Sequence, residues 1–279
     1  PAARKLLEAL RAQAIQLRGE RDLVTMDVTQ SLSVLLGKMG EPQAGRRLME
    51  ALVPMRMQVQ GKDATDTLGA QHNLAVMRIL TGDKPGAVAL QQQLVATQTR
   101  RLGAEHPQTL SELGNLANML NDSGKPEQAL PIAEQVVAAR TRVLGEDHPQ
   151  TLKAILNLSS ILARRKRFDA AMALQKQVAQ ARTRLLGPQH PDTLFIQLNR
   201  AATLQQAGQP KAAMVQLDAF LPLGRKVLGD KHPQVQMGYD IRAQAAEALG
   251  DKALAIASYR ELLALREAAE GAADLGAAQ

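Results

Sequence analysis

The stretch RVLGEDHPQTL, residues 142–152, decides the fold, because the chain returns to it at a constant interval. It recurs as RLGAEHPQTL at 101–110, as LLGPQHPDTL at 185–194 and as VLGDKHPQV at 227–235, so the interval is 42 residues. Each part of the stretch has a local meaning. A glycine that follows a helix takes a left-handed cap conformation without a Cβ penalty. A proline at the first helical position gives up an N–H that has no intrahelical partner anyway. With the histidine near the N-cap, the stretch reads as the stop of one helix, a tight corner and the start of the next.

Working outward, the glycine of the corner forms a ladder: Gly19, Gly61, Gly103, Gly145, Gly187, Gly229 and Gly271. At a background glycine frequency of about 7%, such a run arises by chance about once in 10^8. A second ladder runs Gly40, Gly82, Gly124, Lys166, Gly208, Gly250, and a third runs Ala3, Gly45, Ala87, Ala129, Ala171, Ala213, Ala255. Small residues at a fixed register mark places where backbones approach. A fourth ladder is Asn73, Asn115, Asn157 and Asn199, with Ser31 and Ile241 at its ends, as capping units of an array diverge.

Within one unit the apolar residues follow a helical period: Leu110, Leu113, Leu116, Ala117 and Leu120, then Ala129, Ile132, Ala133, Val136 and Val137. Each unit is therefore a helix pair, and a fixed period of this length is the signature of a helical repeat array. The expected helices lie at about 3–18, 22–39, 42–58, 64–81, 85–101, 107–123, 126–143, 149–165, 168–185, 191–207, 210–227, 233–249 and 251–269. Ala3 falls in the second-helix register, so residues 1–18 read as the second helix of a truncated repeat. Six repeats follow, starting near 20, 62, 104, 146, 188 and 230, in one array over 1–271. The last eight residues, AADLGAAQ at 272–279, read as a flexible tail.

Composition agrees. Of 279 residues, 45% are apolar but only Phe168, Phe195, Phe220, Tyr239 and Tyr259 are aromatic, and helix formers dominate. Cysteine is absent, which excludes disulfides and thiolate metal sites and is compatible with cytoplasm or periplasm alike. No apolar run is long enough to span a membrane, and the N-terminus lacks the basic and apolar segments of a signal peptide. A start at Pro1 instead of Met suggests a processed protein or an excised piece. The net charge of +7, from 34 Lys and Arg against 27 Asp and Glu, is a mild basic bias.

The unit resembles the 42-residue tetratricopeptide repeat of kinesin light chains and of many bacterial repeat proteins. The resemblance rests on Leu-Gly, His-Pro, the NLA at 73–75 and 115–117, the glycine of the inter-helix turn and the alanine of the second helix. It covers residues 1 to 271 and implies an all-α, right-handed α-solenoid of about thirteen helices. It departs from the pattern at 19–26 (GERDLVTM), at 61–68 (GKDATDTL) and at Ile241, units that are expected to keep their packing and lose a binding role.

Several sharper readings fail on the residues. His106, His148, His190 and His232 are displaced along the array and cannot converge on one metal ion. No phosphate loop, nucleophile elbow or HExxH helix occurs, and Ser159 and Ser160 read as ordinary helix residues, so neither catalytic residue nor cofactor is expected. Arg100, Arg142, Arg184 and Lys226 precede the Leu-Gly and complement helix C-terminal dipoles. The ARRKRF cluster at 163–168 reads as a solvated basic turn, and five scattered aromatics offer no stacking platform for nucleic acid.

Asparagine inside a helix is mildly unfavourable, so the ladder needs a reason. One is packing, with the amide bonded to a neighbouring helix. The resemblance implies another: this Asn lines the concave surface and bonds the main chain of an extended peptide, to which an amide can both donate and accept. The expected peptide groove is His72, Asn73, Asn115, Asn118, Asn121, Lys153, Asn157, Ser160, Arg164, Asn199, Gln205 and Gln206. Lys153 and Arg164 point to a partner carrying Asp or Glu. The function expected is a protein–protein interaction scaffold. The alternatives are a regulatory or sensory module cut from a larger bacterial protein, such as a Ser/Thr kinase or a transcription regulator, and, more weakly, nucleic-acid binding. Leu6, Leu7, Leu10 and Ile15 on the first helix lack the first helix of their own unit, and weak self-association through that end is expected.

Overall fold

A computed structural model describes the backbone of residues 2–275 and the side chains up to residue 268. Among the described residues the chain is all α, with no strand, and has thirteen helices. These are α1 (Ala2–Arg18), α2 (Leu23–Lys38), α3 (Pro42–Gln60), α4 (Thr65–Leu80), α5 (Lys84–Leu102), α6 (Pro107–Asp122), α7 (Pro126–Leu144), α8 (Pro149–Arg164), α9 (Phe168–Leu186), α10 (Pro191–Gln206), α11 (Pro210–Leu228), α12 (Pro233–Ala248) and α13 (Lys252–Leu275). Helix by helix the ends follow the sequence reading to within two residues, save at the last. There α13 continues to Leu275, so Gly271 lies inside a helix and the first four residues of the expected tail are helical. Residues 276–279 lie outside the described residues.

The chain divides into two compact units, Pro1–Ala139 and Arg140–Gln279. In each, even-numbered first helices alternate with odd-numbered second helices, and neighbours in sequence pack on each other. The first unit is centred on Met26, Met49, Leu52, Val53, Ala70, Leu74 and Met77, all buried. In the second, Leu194, Leu198, Leu217, Phe220, Leu221, Val235, Tyr239 and Leu262 form one cluster. Close approach is secured by the small-residue ladder: Ala87, Ala129, Ala171 and Ala213 are fully buried. Its first described inward member, Gly45, shows why. A Cβ there would stand 2.8 Å from the Ser33 carbonyl oxygen, and Ser33 Oγ donates to the Gly45 carbonyl at 2.8 Å.

The 42-residue corner is built as the sequence suggests, with one difference. His106, His148, His190 and His232 are N-caps, each with extended backbone and with Nδ1 accepting from the amide two residues on at 3.1–3.2 Å. The imidazole takes the part usually played by Ser, Thr, Asp or Asn. Thr193 adds a bond back across its corner, Oγ1 donating to the Gly187 carbonyl at 2.9 Å. Where His-Pro is missing at 19–26, Asp22 caps α2 by accepting from the Val24 amide.

The difference lies in the glycines. Gly61, Gly103, Gly187 and Gly229 have φ of 87–93° with ψ of 154–162°, well outside the left-handed helical well. Side chains essentially never occupy that region. The second ladder does use a left-handed cap: Gly124 donates to the Asn121 carbonyl and Lys125 to the Leu120 carbonyl, the paired bonds of a Schellman motif. The same pair forms where Lys166, at φ 57°, donates to the Ala163 carbonyl and Arg167 to that of Leu162; Lys166 is the one non-glycine residue with positive φ among the described residues.

These two kinds of corner give opposite expectations. An added Cβ at Gly103 meets no atom within 4 Å, so the cost of Gly103→Ala is purely conformational, about 1–3 kcal/mol. Lys166→Gly relieves a left-handed residue and stabilises by about 0.5–1 kcal/mol. Thermal unfolding followed by circular dichroism should move down for the first and up for the second; a rise for Gly103→Ala would overturn the corner geometry.

Candidate functional site

The asparagine ladder sits on the first helices α4, α6, α8 and α10, two members in each unit. Asn73, Asn157 and Asn199 are half-buried, and none makes a side-chain hydrogen bond among the described residues. Asn115 differs: its Nδ2 approaches Glu112 Oε2 at 3.4 Å, one turn back on the same helix. The packing explanation, with the amide bonded to a neighbouring helix, thus finds no bond at three of the four positions.

Around Asn115 the first unit builds a polar knot that sequence reading did not foresee. The Gln91 side chain, fully buried on α5, donates through Nε2 to the Glu112 carbonyl at 3.0 Å and to its Oε2 at 2.6 Å. His72 on α4 brings Nδ1 to 3.4 Å from the same Oε2. In this pose the contact is ionic in reach and not a formed hydrogen bond. Hydrogen bonding to Glu112, available once Nδ1 carries a proton, raises the His72 pKa against the opposing effect of burial. Burial pushes the Glu112 carboxyl up, but the contacts from His72, Gln91 and Asn115 outweigh it and hold it below the usual range. Glu112 was invisible in sequence because its partners come from α4 and α5, 40 and 21 residues away.

Beside the knot lies a pocket of about 210 Å³ between α4 and α6. Val76, Ile79, Leu80 and Met119 make its apolar wall, and His72, Asn115, Asn118 and Asp122 its polar edge. The structure therefore brings His72, Asn115 and Asn118 together around one hollow. Asn121 is not part of it. Six residues beyond Asn115 is 600° of helix rotation, so its side chain is turned into the packing and buried, with Oδ1 unpartnered. Gln205, at the same offset from Asn199, is likewise half-buried with an enclosed Oε1. At an offset of seven, Arg164 and Gln206 return to the asparagine side and are exposed, at the last positions of α8 and α10. Lys153 is exposed on α8, and Ser160 is exposed with its hydroxyl donating to the Leu156 carbonyl.

Among the described residues no three His, Asp or Glu side chains gather where a metal ion would be held, and no helix is long and apolar enough to cross a membrane. The repeat geometry has close counterparts. A tetratricopeptide-repeat family model matches residues 66–139, 109–183 and 153–222, and a second one matches 238–268. The chain is a tetratricopeptide-repeat protein. It is similar to a kinesin-light-chain-type protein of Podosopora anserina with nearly identical TPR-like repeats, at 29% identity and a TM-score of 0.60, over 71% of this chain and 94% of that one. BtubC (BKLC) from P. vanneervenii shares the fold at 16% identity and a TM-score of 0.61, over 88% and 92% of the two chains. PilW, a type IV pilus biogenesis factor, does so at 17% and 0.57, over 87% and 94%. No curated protein matches in sequence. The tetratricopeptide architecture here is a helical scaffold, with no catalytic constellation among the described residues.

The knot makes a pH-dependent expectation. A raised His72 pKa means that the protonated imidazole stabilises the folded unit, fully below its unfolded value near 6.5, with the contribution lost as pH rises through the higher folded value. The lowered Glu112 pKa works in the other direction, its contribution present above the unfolded value near 4.5 and lost as pH falls through the folded one. An NMR titration of the His72 ring should give a midpoint above 6.5, and Glu112→Gln should bring it down; an unchanged midpoint in that variant would show that the pair does not interact.

Proposed function

We propose that this tetratricopeptide-repeat protein is a protein-binding scaffold that holds an extended segment of a partner along its first helices. The observation that carries this reading is the state of the asparagine ladder: three half-buried amides, in one register, that the fold leaves without hydrogen bonds. Their amide atoms stay open to solvent and are therefore available to a partner. A peptide main chain supplies the matching donors and acceptors whatever its side chains. The hollow beside Asn115 and Asn118 adds an apolar anchor point, of a size that suits one aliphatic side chain of the segment.

Charge divides the partner's preference. The first helices of unit 1 carry Glu112 and Asp122 at the hollow, which disfavours acidic residues there. Lys153 and Arg164 on α8 favour Asp or Glu in the part of the segment that lies near Asn157. The likeness to a kinesin-light-chain-type protein supports a binding scaffold and leaves the partner to be found by experiment.

Peptides selected from a random-sequence library on the wild-type protein test the reading. Asn157→Ala with Asn199→Ala should leave the helical signal and melting temperature nearly unchanged, because Ala is the better helix former and neither amide holds a side-chain hydrogen bond among the described residues. The same pair should weaken the selected peptides by about 1–3 kcal/mol. Unfolding of the double variant would make the ladder a packing device, and unaltered binding would move the site elsewhere.

A further inference from the structure

We propose that the second unit carries an additional binding site, a cationic cleft between α9, α10 and α11 that takes an acidic segment of a partner protein. It is separate from the asparagine side. The cleft encloses about 580 Å³, more than twice the volume of the first-helix hollow. Lys176, Gln180 and Arg184 reach it from α9, Gln197 and Arg200 from α10, and Gln216 from α11. The α9 residues stand four apart and the α10 pair three apart, so each helix presents one polar face to a shared space. No Asp or Glu lines it.

The pairing state of the cations argues for an anionic occupant. Arg184 is already held, one of its Nη atoms lying 2.7 Å from both carboxylate oxygens of Asp147. Arg200 and Lys176 have neither an ion pair nor a side-chain hydrogen bond among the described residues. Arg200 is also half-buried, and no counter-ion stands beside it among the described residues. An incoming carboxylate supplies one, and three glutamine amides around it bond the attached main chain. The residues decide between anions. The cleft contains no aromatic side chain on which a base would stack. Two uncompensated cations are few for a phosphate backbone, whose binding draws on many. An acidic peptide, with carboxylates and a main chain that both bond, uses every group present.

Fluorescein-labelled oligoglutamate, with oligolysine and oligothymidylate as comparison probes, tests the assignment by fluorescence anisotropy on the whole chain at low salt. The wild-type protein should bind oligoglutamate and not oligolysine. Lys176→Ala with Arg200→Ala should weaken that binding by about tenfold or more. Lys176→Glu, an exposed change that the fold tolerates, should act in the same direction. Asp147→Asn should strengthen binding, because it releases Arg184 as a third cation, and a gain of this kind cannot come from misfolding. Equal binding by the wild-type and the Lys176, Arg200 double variant overturns the proposal, as does no oligoglutamate binding at all. Tighter oligothymidylate binding that depends on the same two residues also overturns it, in favour of nucleic acid.

Discussion

Every helix pair in this protein depends on one backbone constraint: the chain must leave a second helix and enter the next first helix within four residues. The corner from Gly103 to His106 does this with a glycine near φ 90° and ψ 160° and with an imidazole that caps the following helix. Each half has its own task, and at 61–64 the glycine turn stands without a side-chain cap. The glycine conformation turns the chain where a side chain would not fit the dihedral angles, and the cap satisfies an amide that the turn leaves exposed. The corner glycine recurs every 42 residues, and within each unit the second-helix alanines, 87 and 129 in the first and 171 and 213 in the second, are fully buried.

A scaffold held this way is free to vary what it shows to solvent. The first helices keep their leucines inward and carry amides at one register, yet among the described residues only Asn115 of the ladder is drawn into a local network. That network, His72, Gln91 and Glu112, ties α4, α5 and α6 through one carboxylate oxygen. Its presence makes the first unit's hollow more acidic than the equivalent stretch of α8, where Lys153 and Arg164 stand. The two units therefore offer different chemistry on the same repeated frame, which is how a repeat protein gains selectivity without changing its fold.

The basic excess of the chain has a similar distribution. Many arginines are matched: Arg46 with Glu50 and Asp83, Arg56 with Asp27 and Asp66, Arg225 with Asp230 and Glu261, Arg242 with Asp218. Arg56 is the extreme case, its side chain buried and bridging α2 to α4 through two exposed carboxylates. Among the described residues Arg21, Arg47, Arg167, Arg260 and Arg266 also lack an ion pair or side-chain hydrogen bond, but they are exposed, whereas Arg200 is half-buried. It directs attention to the cleft between α9, α10 and α11.

The sequence by itself determined the fold class, the number of helices and nearly every helix end. These depend on local chemistry repeated at fixed spacing: a glycine that needs positive φ, a proline at a first helical position, a histidine that can cap. The end of α13 escaped this reading: Gly271 sits in register with the corner glycines, yet the helix runs through it to Leu275. The asparagine register was also legible, and the structure left three of the four amides unpaired. Only the tertiary structure decided which polar residues share a space. Asn121 and Gln205 looked like neighbours of the ladder, but helix rotation turned them toward the packing. Glu112 and Gln91 looked unremarkable, but α4, α5 and α6 converge on them. Lys176, Arg200 and Gln216 belong to no ladder and meet only because α9 and α11 pack on α10. Side-chain proximity across helices depends on rotation about each axis and on who pairs with whom, and neither is written in a one-dimensional period.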